Sequence, residues 1–152
     1  MKGISKRVSV GLLSLVFLFA LVSASPVEAK TPIRLDYAAY YVATDTTDWF
    51  GEIGENGEIG IWIYDWQFLS NGQKLSMDWW IDFDDGGHLE GTAHGFFVYE
   101  THDYLYDGGQ YVANGKVTDT SSDLLHLLGR NVHIMGYIEP WFSITEGVFQ
   151  IN

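Results

Sequence analysis

From Lys30 onward the chain alternates apolar and polar positions in short runs, broken by residues that favour tight turns. Asn56-Gly57, Asn71-Gly72, Asp85-Gly86-Gly87, Asp107-Gly108-Gly109 and Asn114-Gly115 recur between stretches rich in aromatic and β-branched side chains. Asn, Asp and Gly tolerate the positive φ that such turns require, so this punctuation predicts hairpins. Strands are expected over residues 33–43, 58–69, 73–83, 88–101, 110–118, 130–139 and 144–151, with 104–106 as a candidate eighth. Asn114-Gly115 either kinks a strand or divides it. Only residues 121–128 look helical: Thr120 with Asp123 three residues on opens the stretch and Gly129 closes it. The expected fold class is therefore all-β: a small antiparallel barrel of seven or eight strands with one short crossover helix, or alternatively a two-sheet β-sandwich.

Pairing the strands through their turns predicts which side chains share a face. With Asn71-Gly72 as a two-residue turn, Phe68 faces Leu75, Trp66 faces Met77, Tyr64 faces Trp79 and Trp62 faces Ile81, all apolar or aromatic. With Asp85-Gly86-Gly87 as a three-residue turn, Phe83 faces Leu89, Ile81 faces Gly91, Trp79 faces Ala93 and Met77 faces Gly95. Bulky rings set against a Gly91/Ala93/Gly95 strip are how a strongly curved small barrel fills its interior. The same register puts Asp65 opposite Asp78, Asp78 opposite His94, Asp82 opposite Glu90 and Ile63 opposite Trp80 on the other face. Like charges facing one another destabilise a sheet, so a carboxylate row calls either for a ligand or for full solvation.

The first residues have a different character. Lys2, Lys6 and Arg7 precede an almost wholly apolar run from Val8 to Val22, followed by Ser23, Ala24 and Ser25. This is the pattern of a secretory signal, with small-x-small cleavage motifs at Val22-Ser23-Ala24 and Val27-Glu28-Ala29. Residues 1–29 are expected to be the signal and 30–152 a single barrel domain, secreted; the alternative is an uncleaved anchor in the membrane. Processing at the second motif removes Lys2, Lys6, Arg7 and Glu28. The whole chain's formal charge of -12 then becomes -14, from 5 Lys+Arg and 19 Asp+Glu. Such a surface repels phosphate, which excludes nucleic acid and anionic membrane surfaces as partners. There are no cysteines, so neither a disulfide staple nor a thiol nucleophile exists.

Three functions fit these patterns. The leading expectation is a secreted, non-catalytic barrel that holds a small apolar or ring-containing ligand against Trp62, Tyr64, Trp66, Trp79 and Trp49, gated by a flexible loop over residues 44–57. The second is an extracellular glycan-binding module that stacks sugar rings on Trp80 and Trp141. The third is a small barrel cyclase or isomerase with Asp65, Asp78 and His94 as acid and base. No cofactor is predicted. Asp65, Asp78, Asp82, Glu90 and His94 are the candidate ligands should the acidic row hold a divalent cation such as calcium. The Asp82–Gly87 turn does not form an EF-hand, because position twelve falls on Ala93 where a bidentate Glu is needed. The chain also lacks a G-x-S-x-G elbow and a glycine-rich phosphate loop.

Overall fold

In a computed structural model that describes residues 31–42, 47–100, 108–140 and 143–152, the alternating runs become strands. They are β1 (Ile33–Tyr41), β2 (Thr47–Ile53), β3 (Gly57–Leu69), β4 (Gly72–Phe83), β5 (His88–Tyr99), β6 (Gly109–Thr120), β7 (Asn131–Ile138) and β8 (Ile144–Ile151). Each pairs antiparallel with the next, and β1 pairs with β8 from Ile33↔Ile151 to Tyr40↔Ile144, so the sheet closes on itself as a barrel. Closure rules out the sandwich and leaves the sheet without an edge strand. Seven strands coincide with the predicted ones to within two residues.

The eighth strand is β2, which occupies the segment expected to be a flexible loop. Its glycines suggested mobility, yet its side chains alternate: Trp49 and Ile53 are buried while Phe50 and Glu52 are exposed. Gly51 serves close approach, since a Cβ there would run into the backbone of Ala38 and Ala39 on β1. The candidate strand at 104–106 lies outside the described residues. Asn114-Gly115 stays within β6, where a Cβ on Gly115 would meet the carbonyl of Thr92. The expected helix shrinks to a 3-10 turn, Leu125–Leu127, that buries Leu127. It joins the neighbouring strands β6 and β7, so it is a hairpin connection and not a crossover.

The β3–β4 register differs from the expectation. The turn is Ser70-Asn71, with Leu69 opposite Gly72. Gly72 belongs to the strand because β5 passes too close for a side chain, the carbonyl of Phe97 occupying that space. A β-bulge lies between Tyr64 and Gln67, where Asp65 has a φ of 55°. Before the bulge Ile59, Ile61 and Ile63 point inward and are buried; Trp62 and Tyr64 point outward. Past it the parity changes, and Trp66 packs partly against the core. The expected pairs Tyr64/Trp79 and Trp62/Ile81 are thereby replaced by Tyr64/Ser76 and Trp62/Asp78. One inserted residue moves every side chain to the other face.

Between β4 and β5 the offset is two residues, so the faces survive. Ile81 pairs with Leu89, Trp79 with Gly91, Met77 with Ala93 and Leu75 with Gly95. The large-against-small expectation holds in a shifted register: a Cβ on Gly91 would fall on the Trp79 indole. That ring meets Phe149 edge-on at 4.6 Å inside the barrel. A second interior row runs Tyr111, Gly136, Gly147, Tyr37 across β6, β7, β8 and β1. The two glycines leave room for the phenols to meet: Tyr37 and Tyr111 are hydrogen-bonded, and Tyr111 Oη lies 2.9 Å from Thr145 Oγ1. Burial raises the pKa of both phenols, so both stay protonated.

Candidate functional site

Outward positions of β2 to β6 line up in cross-strand rows. One row runs Asp48, Trp62, Asp78, Thr92, Lys116. Its neighbour runs Phe50, Gly60, Trp80, Glu90, Asp119, and a third runs Glu52, Glu58, Asp82, His88. The glycine in the second row shapes the surface. A Cβ on Gly60 would coincide with the Trp80 indole, so that ring lies down across β3. There it approaches Phe50, with ring centroids 5.9 Å apart. Trp62 remains 45% exposed and Phe50 42% exposed. The two rows enclose a groove of about 590 Å³ lined by Asp48, Phe50, Trp62, Asp78, Trp80 and Glu90, with Thr92 and Thr118 at its β5–β6 side. Thr118 is the extra residue of a second bulge, between Glu90↔Asp119 and Gly91↔Val117, and such irregularities often border binding sites.

The polar groups around the groove are oriented by hydrogen bonds. Tyr64 Oη donates to Asp78 Oδ1 at 3.2 Å, and its phenol is raised by desolvation and then by this carboxylate. His88 bridges two carboxylates, with Nδ1 2.5 Å from Asp82 Oδ1 and Nε2 3.0 Å from Glu90 Oε1. Its pKa is raised, chiefly by the hydrogen bond to Asp82, with desolvation opposing and Glu90 adding to the rise.

The candidates from the sequence are dispersed. Trp49 and Trp79 are core residues, Trp66 is half-buried beyond the bulge, and Trp62 and Tyr64 stand on the outer wall, not the interior. Trp80 lies in the groove; Trp141 lies outside the described residues. Asp65, Asp78 and His94 do not form the expected row, because the β3 bulge and the shifted turns displace all three. Asp78 pairs with Trp62 and Thr92, while His94 pairs with Ser76, whose Oγ lies 2.9 Å from His94 Nδ1. Asp65, Ser76 and His94 share a separate cavity of about 500 Å³. Asp82 and Glu90 are brought together only through His88, which uses both ring nitrogens to do so. Among the described residues no group of three or more His, Cys, Asp or Glu side chains is placed to hold a metal ion.

Thr92 and Thr118 were not singled out by sequence reasoning, and Phe50 and Asp48 entered it only as members of the 44–57 segment expected to gate the barrel. For Phe50 and Asp48 a signal existed in the alternation Asp48-Trp49-Phe50-Gly51-Glu52, obscured by the surrounding glycines. For Thr118 there was none, since a bulge in β6 depends on how β5 meets it. Comparison of the chain with protein-family models, with curated proteins and with solved structures finds no match.

Proposed function

We propose that the protein is an extracellular glycan-binding module and that the outer groove is where a sugar ring stacks. The observation that carries this reading is the Trp80 indole lying across Gly60 beside Phe50, with Trp62 exposed alongside and oxygen side chains around the rings. A sugar presents an apolar face of C–H bonds and an equatorial rim of hydroxyls. Flat aromatic surface suits the first; Asp48, Asp78, Thr92 and Thr118 suit the second as acceptors and, for the threonines, donors. Solvent-exposed aromatic rings that stand together on a sheet are costly unless something covers them.

The groove is favoured over the barrel interior for two reasons. Two of the five residues expected to face an interior ligand, Trp62 and Tyr64, stand outside. The space opposite Gly91, which the small-residue strip opened, is taken by the Trp79 ring. The test is calorimetric titration with neutral oligosaccharides, comparing the native protein with Trp80→Ala and Trp62→Ala. Covering roughly 60–100 Å² of ring at about 25 cal/mol per Å² predicts about 1.5–2.5 kcal/mol, or about 10- to 70-fold weaker binding for Trp80→Ala. Binding that survives both changes together removes the groove as the site.

A further inference from the structure

The charge pattern around the groove narrows the class of sugar. Carboxylates stand in all three outer rows: Asp48 and Asp78 in the first, Glu90 and Asp119 in the second, and Glu52, Glu58 and Asp82 in the third. None of the residues lining the groove is Lys or Arg. Lys116 ends the first row, two strands from Asp78, and His88 is held between Asp82 and Glu90. The aromatic faces of Phe50, Trp62 and Trp80 thus lie within a field of negative charge. Ring faces carry negative electrostatic potential of their own and attract cations, so rings and carboxylates favour the same sign of ligand.

From this complementarity, and resting on the glycan reading above, we infer that the groove selects amine-bearing sugars: the glucosamine units of a de-N-acetylated polymer, which present an ammonium beside a stackable ring. The ring lies on Trp80 and Trp62, and the ammonium faces Asp78 or Glu90 at the edge of the groove. An N-acetylated unit offers the same ring with a neutral amide and loses the charge pairing. A uronic acid or sulfated sugar meets repulsion from both carboxylates. With ammonium groups of successive units near Asp78 and Glu90, the two exposed ion pairs are each modest, and together they give about a tenfold preference for the free amine. Because these carboxylates are solvent-facing, the preference is screened by salt.

The experiment is titration of protein expressed from the full-length sequence with glucosamine hexasaccharide, N-acetylglucosamine hexasaccharide, cellohexaose and a lysine hexapeptide. It is run near pH 5.5, at about 0.05 M and about 0.5 M salt. The expected result is binding of the free-amine hexasaccharide about tenfold tighter than its N-acetylated counterpart. High salt, or Asp78→Asn combined with Glu90→Gln, brings that ratio close to one. The side-chain amide introduced by Asp78→Asn keeps an oxygen that can accept from Tyr64 Oη, and circular dichroism of the double variant checks that the barrel is intact. Equal affinity for charged and neutral hexasaccharides overturns the charge selection and leaves the glycan reading standing. Binding of the lysine hexapeptide as tight as that of the sugar overturns it too, reducing the groove to a patch for any cation. No binding of any oligosaccharide overturns the glycan reading itself.

Discussion

Gly60 and Gly91 sit under Trp80 and Trp79, on opposite faces of the wall, and the same methyl group added to each has different consequences. At Gly91 a Cβ meets the carbonyl of Lys116 and the Trp79 indole in the barrel interior. The carbonyl belongs to the paired strand β6, and the ring is 2% exposed and pressed against Phe149, so neither can withdraw. Gly91→Ala therefore overpacks the core and costs about 3 kcal/mol, or roughly 10 °C in melting temperature for a domain of this size. At Gly60 the nearest atoms all belong to the half-buried Trp80 ring, which has solvent above it. That ring can lift. It forfeits the contact with Phe50, about 0.5–1.5 kcal/mol, while alanine recovers about 0.5–1 kcal/mol of chain entropy relative to glycine in a strand. Gly60→Ala should accordingly change stability by about 1 kcal/mol or less and yet tilt the stacking surface, weakening oligosaccharide binding about tenfold. Thermal melting followed by circular dichroism and calorimetric titration separate the two effects. If Gly60→Ala melts as low as Gly91→Ala, the ring is not free to move; if it melts normally and binds with native affinity, the groove is not where the ligand stacks.

In the interior hydroxyl cluster Tyr111 Oη meets Tyr37 Oη and Thr145 Oγ1, and Thr145 also bonds the Tyr37 phenol. Tyr111→Phe should cost about 1–3 kcal/mol in urea denaturation, and an unchanged stability would show that the hydroxyl contributes nothing to the barrel. For His88, whose folded pKa is raised, the bridge to Asp82 and Glu90 contributes fully below the unfolded histidine's pKa, near 6.5. That contribution is lost as pH rises through the higher folded value. Its imidazole should titrate above the ordinary histidine range by NMR and fall towards it in Asp82→Asn, and an unshifted native titration would show that the bridge does not hold in solution. Since these groups are largely exposed, the accompanying change in melting temperature is small and shrinks further with salt.

The turn residues and two-residue alternation were enough to place seven strands and an antiparallel barrel architecture, because both signals are local. Gly129 marked the end of the β6–β7 connection, and it is there, at φ 77°. What local signals could not carry was register. The run Ile59-Gly60-Ile61-Trp62-Ile63-Tyr64 has apolar side chains on both faces, so hydrophobicity could not say which set turns inward. The bulge at Asp65 decided it for isoleucine and put Trp62 outside, since the displaced turn at Ser70-Asn71 shifts the pairing by two and keeps the faces. A glycine's role was equally invisible. Gly51 looked like flexibility and Gly72 like a turn, whereas each answers the close approach of a neighbouring strand that the local sequence does not announce.

By itself, then, the sequence determined composition-borne properties and local geometry: the acidity, the apolar leader expected to be a secretory signal, the strands, and the large-against-small packing of Trp79 on its strip. The tertiary structure decided what closure alone can impose, namely which face of β3 is wet, which carboxylates share a row, and that Trp80 lies down over Gly60. The physical reason is the period of two in a β-strand. A single inserted residue leaves every local propensity unchanged and exchanges the inside of the barrel for the outside.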